Sequence, residues 1–186
     1  VDDAEGIDQL FGITTHEVTH NWWPDIVVPA HAEGMEMLTE FIAEYVRIMC
    51  VEKEYGKKMA RRHLKREMEE YLSRRRRDVE GEKPLMRAHP QQYFLSYQKS
   101  TFTIYALQDY IGEQNVNGAL RSLVEKFAFR DDTSPTSLDM VNAFRAATPD
   151  SLQYVISDFF EKITLHENEA IAAAYEQLAE NEYKLK

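Results

Sequence analysis

His16-Glu17-Val18-Thr19-His20 is the stretch around which this chain is organised. Within a helix, His16 and His20 lie one turn apart on the same face, where both rings can bind a single Zn²⁺. Glu17 then lies beside the metal and can take a proton from a metal-activated water. The alternative interpretation is a pair of ordinary helix histidines. Since the chain has only 6 His in 186 residues, this spacing favours the metal site.

Composition excludes several classes of protein. With 44% hydrophobic residues the chain can bury one good core, and its 7 Gly and 6 Pro favour helices over a turn-rich β architecture. We therefore expect a mainly α fold. The net charge of −10 argues against nucleic acid as a partner, because phosphate binding needs a positive surface. The single Cys50 excludes an internal disulfide framework. No apolar run approaches the roughly 20 residues that span a bilayer, so we expect a soluble domain.

Apolar periodicity and turn residues predict helices at residues 7–23, 33–55, 57–79, 95–111, 113–129, 136–147 and 148–163. Thr136 and Asp139 predict a capping box, and Thr148 before Pro149 predicts the N-cap of the last helix. The tail from Ala170 is ambiguous: its alanines favour helix, whereas 175–185 could pair as strand.

The first predicted helix carries an apolar stripe, made of Ile7, Leu10, Phe11, Val18 and Trp22. The histidines fall on roughly the opposite side of the helix. We therefore expect this helix to have neighbours on both sides, as a central helix would. Trp22 and Trp23 are expected to pack in the core beneath the site.

A catalytic zinc site usually has three protein ligands and one open position, so a third ligand is needed. The candidates are His31, in the connection after Pro24, or a carboxylate from the next helix. Trp23 and Ile26 exclude the longer zinc motif that continues with Gly and a third His. Glu40 fits better than His31, because the proline-containing connection allows the second helix to pack antiparallel on the first.

Three motifs in this order resemble the aminopeptidase N family of gluzincin zinc metallopeptidases. They are His16-Glu-Val-Thr-His20-Asn-Trp-Trp, then Met37-Leu-Thr-Glu40 with Tyr45, then Tyr97-Gln-Lys-Ser100. The sequence is most similar to the branch fused to ABC transporter permeases, and the resemblance covers nearly the whole chain. Glu40 lies one residue further from His20 than in the commonest form, a spacing typical of that branch. Ser100 stands where the family usually has Gly.

The resemblance implies one Zn²⁺ with three ligands, His16, His20 and Glu40. It implies that Glu17 is the general base and that the Tyr97 hydroxyl stabilises the oxyanion of the tetrahedral intermediate. Glu44, one turn beyond Glu40, would accept a hydrogen bond from a ligand histidine and fix its tautomer. The implied function is an aminopeptidase-type zinc metallopeptidase domain that hydrolyses peptide substrates.

The implied fold is the helical half of a thermolysin-like catalytic domain followed by a helical bundle. We expect the zinc-site helices in 1–80, the bundle with the catalytic tyrosine in 81–167, and a tail of uncertain structure in 168–186, all in one compact unit. The family strand that binds the substrate's α-amino group lies upstream of the zinc helix. We therefore expect a fragment of a larger, bacterial, membrane-tethered protein with an upstream β part and permease segments. The fragment alone should bind zinc but cleave weakly or not at all.

Two other functions remain open. One is a non-catalytic interaction domain of a transporter-associated protein, in which a closed zinc site is only a structural clip. The other is nucleic-acid binding through the basic stretch 61–77, which the overall charge disfavours.

Overall fold

The structure, a computed structural model, describes residues 4–164, 175–179 and 182–185. Its α-helices are α1 (Ala4–Thr19), α2 (Glu40–Tyr55), α3 (Lys57–Arg75), α4 (Ser100–Ile111), α5 (Glu113–Phe127), α6 (Ser137–Ala146) and α7 (Gln153–Ile156). Short 3₁₀ turns lie at Met35–Leu38, Leu85–Arg87 and Asp150–Leu152, and π-helical segments at Phe94–Lys99 and Ser157–Glu161. The predicted mainly α fold is confirmed.

Part of the ambiguous tail is a β-hairpin. Strands β1 (Tyr175–Ala179) and β2 (Glu182–Leu185) pair antiparallel, with Tyr175 opposite Leu185. The other residues predicted as the tail, 168–174, 180–181 and 186, lie outside the described residues.

Helix ends differ from the prediction where local hydrogen bonding decides them. The first helix begins at Ala4 rather than Ile7, and it gives way to turns after Thr19. The second predicted helix is divided at Thr39 into a 3₁₀ turn and α2. The Thr136–Asp139 capping box is confirmed. Thr148 is not an N-cap, because its hydroxyl donates back to the Phe144 carbonyl at 2.7 Å.

Helix α2 is the central helix. Its buried residues lie on several sides of the helix, from Phe41, Ile42, Ala43 and Tyr45 to Ile48 and Val51. Of these, Phe41, Ile42, Tyr45 and Ile48 belong to one hydrophobic cluster with residues of α4 to α6 and of the 3₁₀ turn before α2. The helix thereby places its first turn, which carries Glu40, against α1.

The expected burial of the α1 apolar stripe is wrong. Ile7, Leu10, Val18 and Trp22 are between 48% and 66% exposed. The face that packs on α2 is the opposite one, where a Cβ on Gly12 would lie 3.4 Å from Arg47 Cγ. Of the two tryptophans only Trp23 is buried. Among the described residues, the neighbours of α1 therefore lie on the histidine side of this helix. The polar side chains on that side contact side chains of α2 and α3.

Among the described helices, none combines the length and apolar composition that crossing a bilayer requires.

Candidate metal centre

Two helices bring together His16, His20 and Glu40. One donor atom from each lies within 4.8 Å of the other two. His16 Nε2 is 3.2 Å from both His20 Nε2 and Glu40 Oε2, and His20 Nε2 is 3.7 Å from Glu40 Oε2. Two imidazole nitrogens and a carboxylate oxygen that converge in this way are a donor set that suits Zn²⁺. His31, the alternative third ligand, is not part of the group.

The 3₁₀ turn Met35–Leu38 positions Glu40 at the start of α2. Gly34 precedes this turn with φ +81°, and a Cβ there would lie only 2.0 Å from the Met86 carbonyl oxygen. Glycine is therefore required at this position. Met37 and Leu38 are fully buried and anchor the turn. The backbone thus enters α2 in a fixed direction, with Glu40 facing the histidines.

Each histidine is oriented through its second ring nitrogen. His20 Nδ1 lies 2.7 Å from the Trp23 carbonyl oxygen, to which only a protonated Nδ1 can donate. His16 Nδ1 lies 2.9 Å from Glu44 Oε1. With a metal bound, both Nδ1 atoms would carry the proton and both Nε2 lone pairs would face the shared position.

Charges around His16 govern its protonation. Burial lowers the pKa of His16, but hydrogen bonds to Glu40 and Glu44 outweigh it and raise the pKa to about 9. For Glu40, burial raises the pKa, while hydrogen bonds from His16 and Tyr97 lower it more, and the net direction is down. Without a metal, His16 is therefore an imidazolium between carboxylates at neutral pH. A divalent cation would take the place of that proton.

Tyr97 lies against this group, in the π-helical segment Phe94–Lys99. Its ring stacks on His16 with centroids 5.9 Å apart and planes 18° apart. Burial, together with the charge of the nearby Glu40, raises the pKa of the Tyr97 hydroxyl. The hydroxyl therefore remains a proton donor at neutral pH. π-Helical turns of this kind are frequent at functional sites.

An open cleft of about 330 Å³ adjoins the group. Glu17 is exposed and lines it, as do His16 and Tyr97. Further lining comes from Ile13, Gln98 and Arg66. A molecule in this cleft would meet the Glu17 carboxylate, the metal position and the Tyr97 side chain together, a set of groups suited to acid–base chemistry beside a metal.

Four buried polar residues near the site escaped the sequence analysis: Asp8, Arg47, His63 and Glu67. A signal for one of them existed. Arg47 follows Glu44 by three positions and therefore shares its helix face. His63 and Glu67 lie on the highly charged α3, where composition predicts solvated side chains, and Asp8 lies near the start of α1.

Comparison with known proteins identifies the family. The profile of the Peptidase family M1 domain matches residues 2–161, which include His16, Glu17, His20, Glu40 and Tyr97. No curated protein matches the chain, and no solved structure does. Because the match covers most of the chain, this protein belongs to peptidase family M1, the aminopeptidase N-like gluzincins.

Proposed function

We propose that this chain is the zinc-binding catalytic part of an aminopeptidase-type metallopeptidase, and that it hydrolyses peptide bonds. The observation that carries the proposal is the convergence of His16, His20 and Glu40 in a chain of family M1. These three residues would hold one Zn²⁺. When bound, the metal would polarise the scissile carbonyl and lower the pKa of the attacking water to around 7.

The chain's own residues would do the rest of the chemistry. Glu17, exposed in the cleft, would accept the proton of the attacking water and deliver it to the departing amine. The Tyr97 hydroxyl, whose ring stacks on His16, would donate to the oxyanion as charge develops. Loss of one such donor typically lowers the rate by about 10²–10³-fold.

A non-catalytic zinc clip is the competing function. A structural zinc site is usually closed by four protein ligands. In the part of the chain that the structure describes, the group contains three residues, and it borders an open cleft. These two observations favour the catalytic function over the clip.

We also propose that an upstream β part of the parent protein covers α1. The support is the exposed apolar stripe of that helix, which includes Ile7, Leu10 and Val18. Contiguous apolar surface of this kind is typical of an interface. That part would bind the α-amino group of the substrate, so the present chain alone should bind zinc and cleave weakly. Membership of the ABC-permease branch rests on the His20–Glu40 spacing alone, and membrane fractionation of the full-length protein would test it.

The catalytic proposal is tested with the parent protein on aminoacyl fluorogenic substrates. Glu17→Gln should lower turnover by about 10²–10⁴-fold while zinc content stays at one per chain. Glu125→Gln, an exposed carboxylate on α5, is the matched control and should leave turnover unchanged. A zinc-loaded Glu17→Gln enzyme with normal turnover would defeat the mechanism.

A further inference from the structure

We propose that Arg47 is a positioning residue of the metal centre. It fixes the Glu44 carboxylate so that this carboxylate contacts and orients His16, and residues of α3 fix Arg47. This inference rests on the metal site of the proposed function. It concerns a residue that lines the cleft but is not one of the three candidate ligands, the proposed base or the tyrosine.

The two oxygens of Glu44 have different partners. Oε2 accepts hydrogen bonds from Arg47 Nε at 2.8 Å and from Thr101 Oγ1 at 2.8 Å, and Arg47 Nη2 lies 2.6 Å from the same oxygen. Oε1 is left to face His16 Nδ1 at 2.9 Å. Because three donors surround one oxygen, the carboxylate cannot rotate without losing them. Its other oxygen is thereby aimed at the histidine.

Arg47 is itself held from helix α3. Its Nη2 donates to Glu67 Oε1 at 3.0 Å, and its Nη1 lies 3.2 Å from His63 Nδ1. His63 Nε2 lies 2.7 Å from Asp8 Oδ2 on α1. Burial and the nearby arginines lower the pKa of His63 in spite of the Asp8 hydrogen bond, so a neutral ring accepts from Arg47 and donates to Asp8.

The hydrogen bonds, together with the close contact between Glu44 and His16, therefore form a closed path through three helices. It runs from Asp8 on α1 to His63 on α3, to Arg47 and Glu44 on α2, and back to His16 on α1. Every member is buried, and Arg47 is only 6% exposed. The path thus ties the metal-facing histidine to the relative placement of α1, α2 and α3.

Burial of so many charges argues for a role beyond packing. A buried ion pair costs desolvation energy, and well-packed apolar side chains of similar volume often give equal or better stability. Groups that orient metal ligands contribute to metal binding, since changing them typically weakens metal affinity by about 10–100-fold. Without Arg47, Oε2 of Glu44 keeps only the Thr101 donor. The carboxylate is then free to rotate, and His16 loses its fixed partner.

The test is the zinc affinity of the chain, measured at pH 7.5 by competition with a chromophoric chelator. Arg47→Met should weaken zinc binding about 10-fold or more. Arg47→Lys keeps a cation but cannot reach Glu44, Glu67 and His63 at once, so its zinc Kd should lie between those of wild type and Arg47→Met. Lys99→Met is the matched control, because Lys99 is an equally buried cation paired with Glu82. It should destabilise the fold and leave the zinc Kd unchanged.

The outcomes separate the inference from the function on which it rests. If the wild-type chain takes up no zinc, the metal site itself is wrong and the inference falls with it. If wild type binds zinc and Arg47→Met binds it equally well, only the positioning role is refuted. Should Arg47→Met fail to fold, a wild-type Kd for Arg47→Lys refutes that role. A Kd weakened to the same extent by Lys99→Met would show a general effect of lost stability and would also overturn it.

Discussion

Raising the pH of the metal-free chain should destabilise it through His16. The pKa of this histidine is about 9 in the folded chain, against 6.5 for an ordinary imidazole, because Glu40 and Glu44 favour the imidazolium. A group whose pKa is raised by folding stabilises the folded state below its unfolded pKa. That contribution is fully present below pH 6.5 and is lost as the pH rises through about 9.

The size of the effect follows from the two pKa values. Each pH unit between them corresponds to about 1.4 kcal/mol, so the rise from 6.5 to about 9 is worth about 3 kcal/mol in the free energy of unfolding. His16 is buried, and solvent therefore screens this contribution little.

The assay is urea unfolding in the presence of a chelator, from about pH 6 to pH 10, for wild type and His16→Gln. The difference in unfolding free energy between the two proteins isolates His16, because the other titrating groups are common to both. We expect that difference to fall by about 3 kcal/mol across this range. A difference that does not change with pH would refute the carboxylate–imidazolium arrangement on which the site depends.

Three further predictions concern the fold and the metal. Zinc binding at pH 7.5 should release about one proton from His16, which calorimetry in buffers of different ionisation enthalpy would measure. Zinc binding without proton release at this pH would contradict the raised pKa of His16. Lys99→Met should lower the unfolding free energy by about 1–3 kcal/mol, because Glu82 loses its ammonium partner but keeps hydrogen bonds from Arg75 and Tyr71. An unchanged unfolding free energy would contradict this. Gly34→Ala should lower the unfolding free energy, measured with urea, by at least about 2 kcal/mol. A Cβ at Gly118 meets nothing within 4 Å, so Gly118→Ala should instead stabilise α5 by about 0.5–1 kcal/mol. Equal effects of the two substitutions would contradict the requirement for glycine at position 34.

The meeting of His16 and His20 could be predicted from sequence because it depends on local geometry. Four positions in a helix are one turn, whatever surrounds the helix. Glu40 is identified through the resemblance to the aminopeptidase N family, and the connection after Pro24 allows the next helix to pack back on the first. The mainly α composition and the capping box at Thr136 are equally local features.

The remaining features depend on tertiary context. The α1 stripe reveals an apolar face but not whether anything in the chain covers it, so Leu10 and Trp22 were expected inside and lie exposed. The π-helical turn that presents Tyr97 follows from packing against α3 and α4, which leaves no periodic signal. Isolated charges usually lie in solvent, and the sequence pattern therefore did not single out Arg47 and His63. Only the three-helix arrangement shows that they hydrogen-bond with each other, and that Arg47 also bonds to Glu44.

The central claim is that two histidines and one glutamate bind a single zinc ion with one position open. X-ray absorption at the zinc edge, on the chain loaded with one equivalent of metal, tests it most directly. We predict two imidazole nitrogens at about 2.0–2.1 Å, carboxylate and solvent oxygens, no sulfur, and the loss of one imidazole in His16→Gln and in His20→Gln. Failure to take up stoichiometric zinc, or coordination by four protein ligands, would contradict the claim.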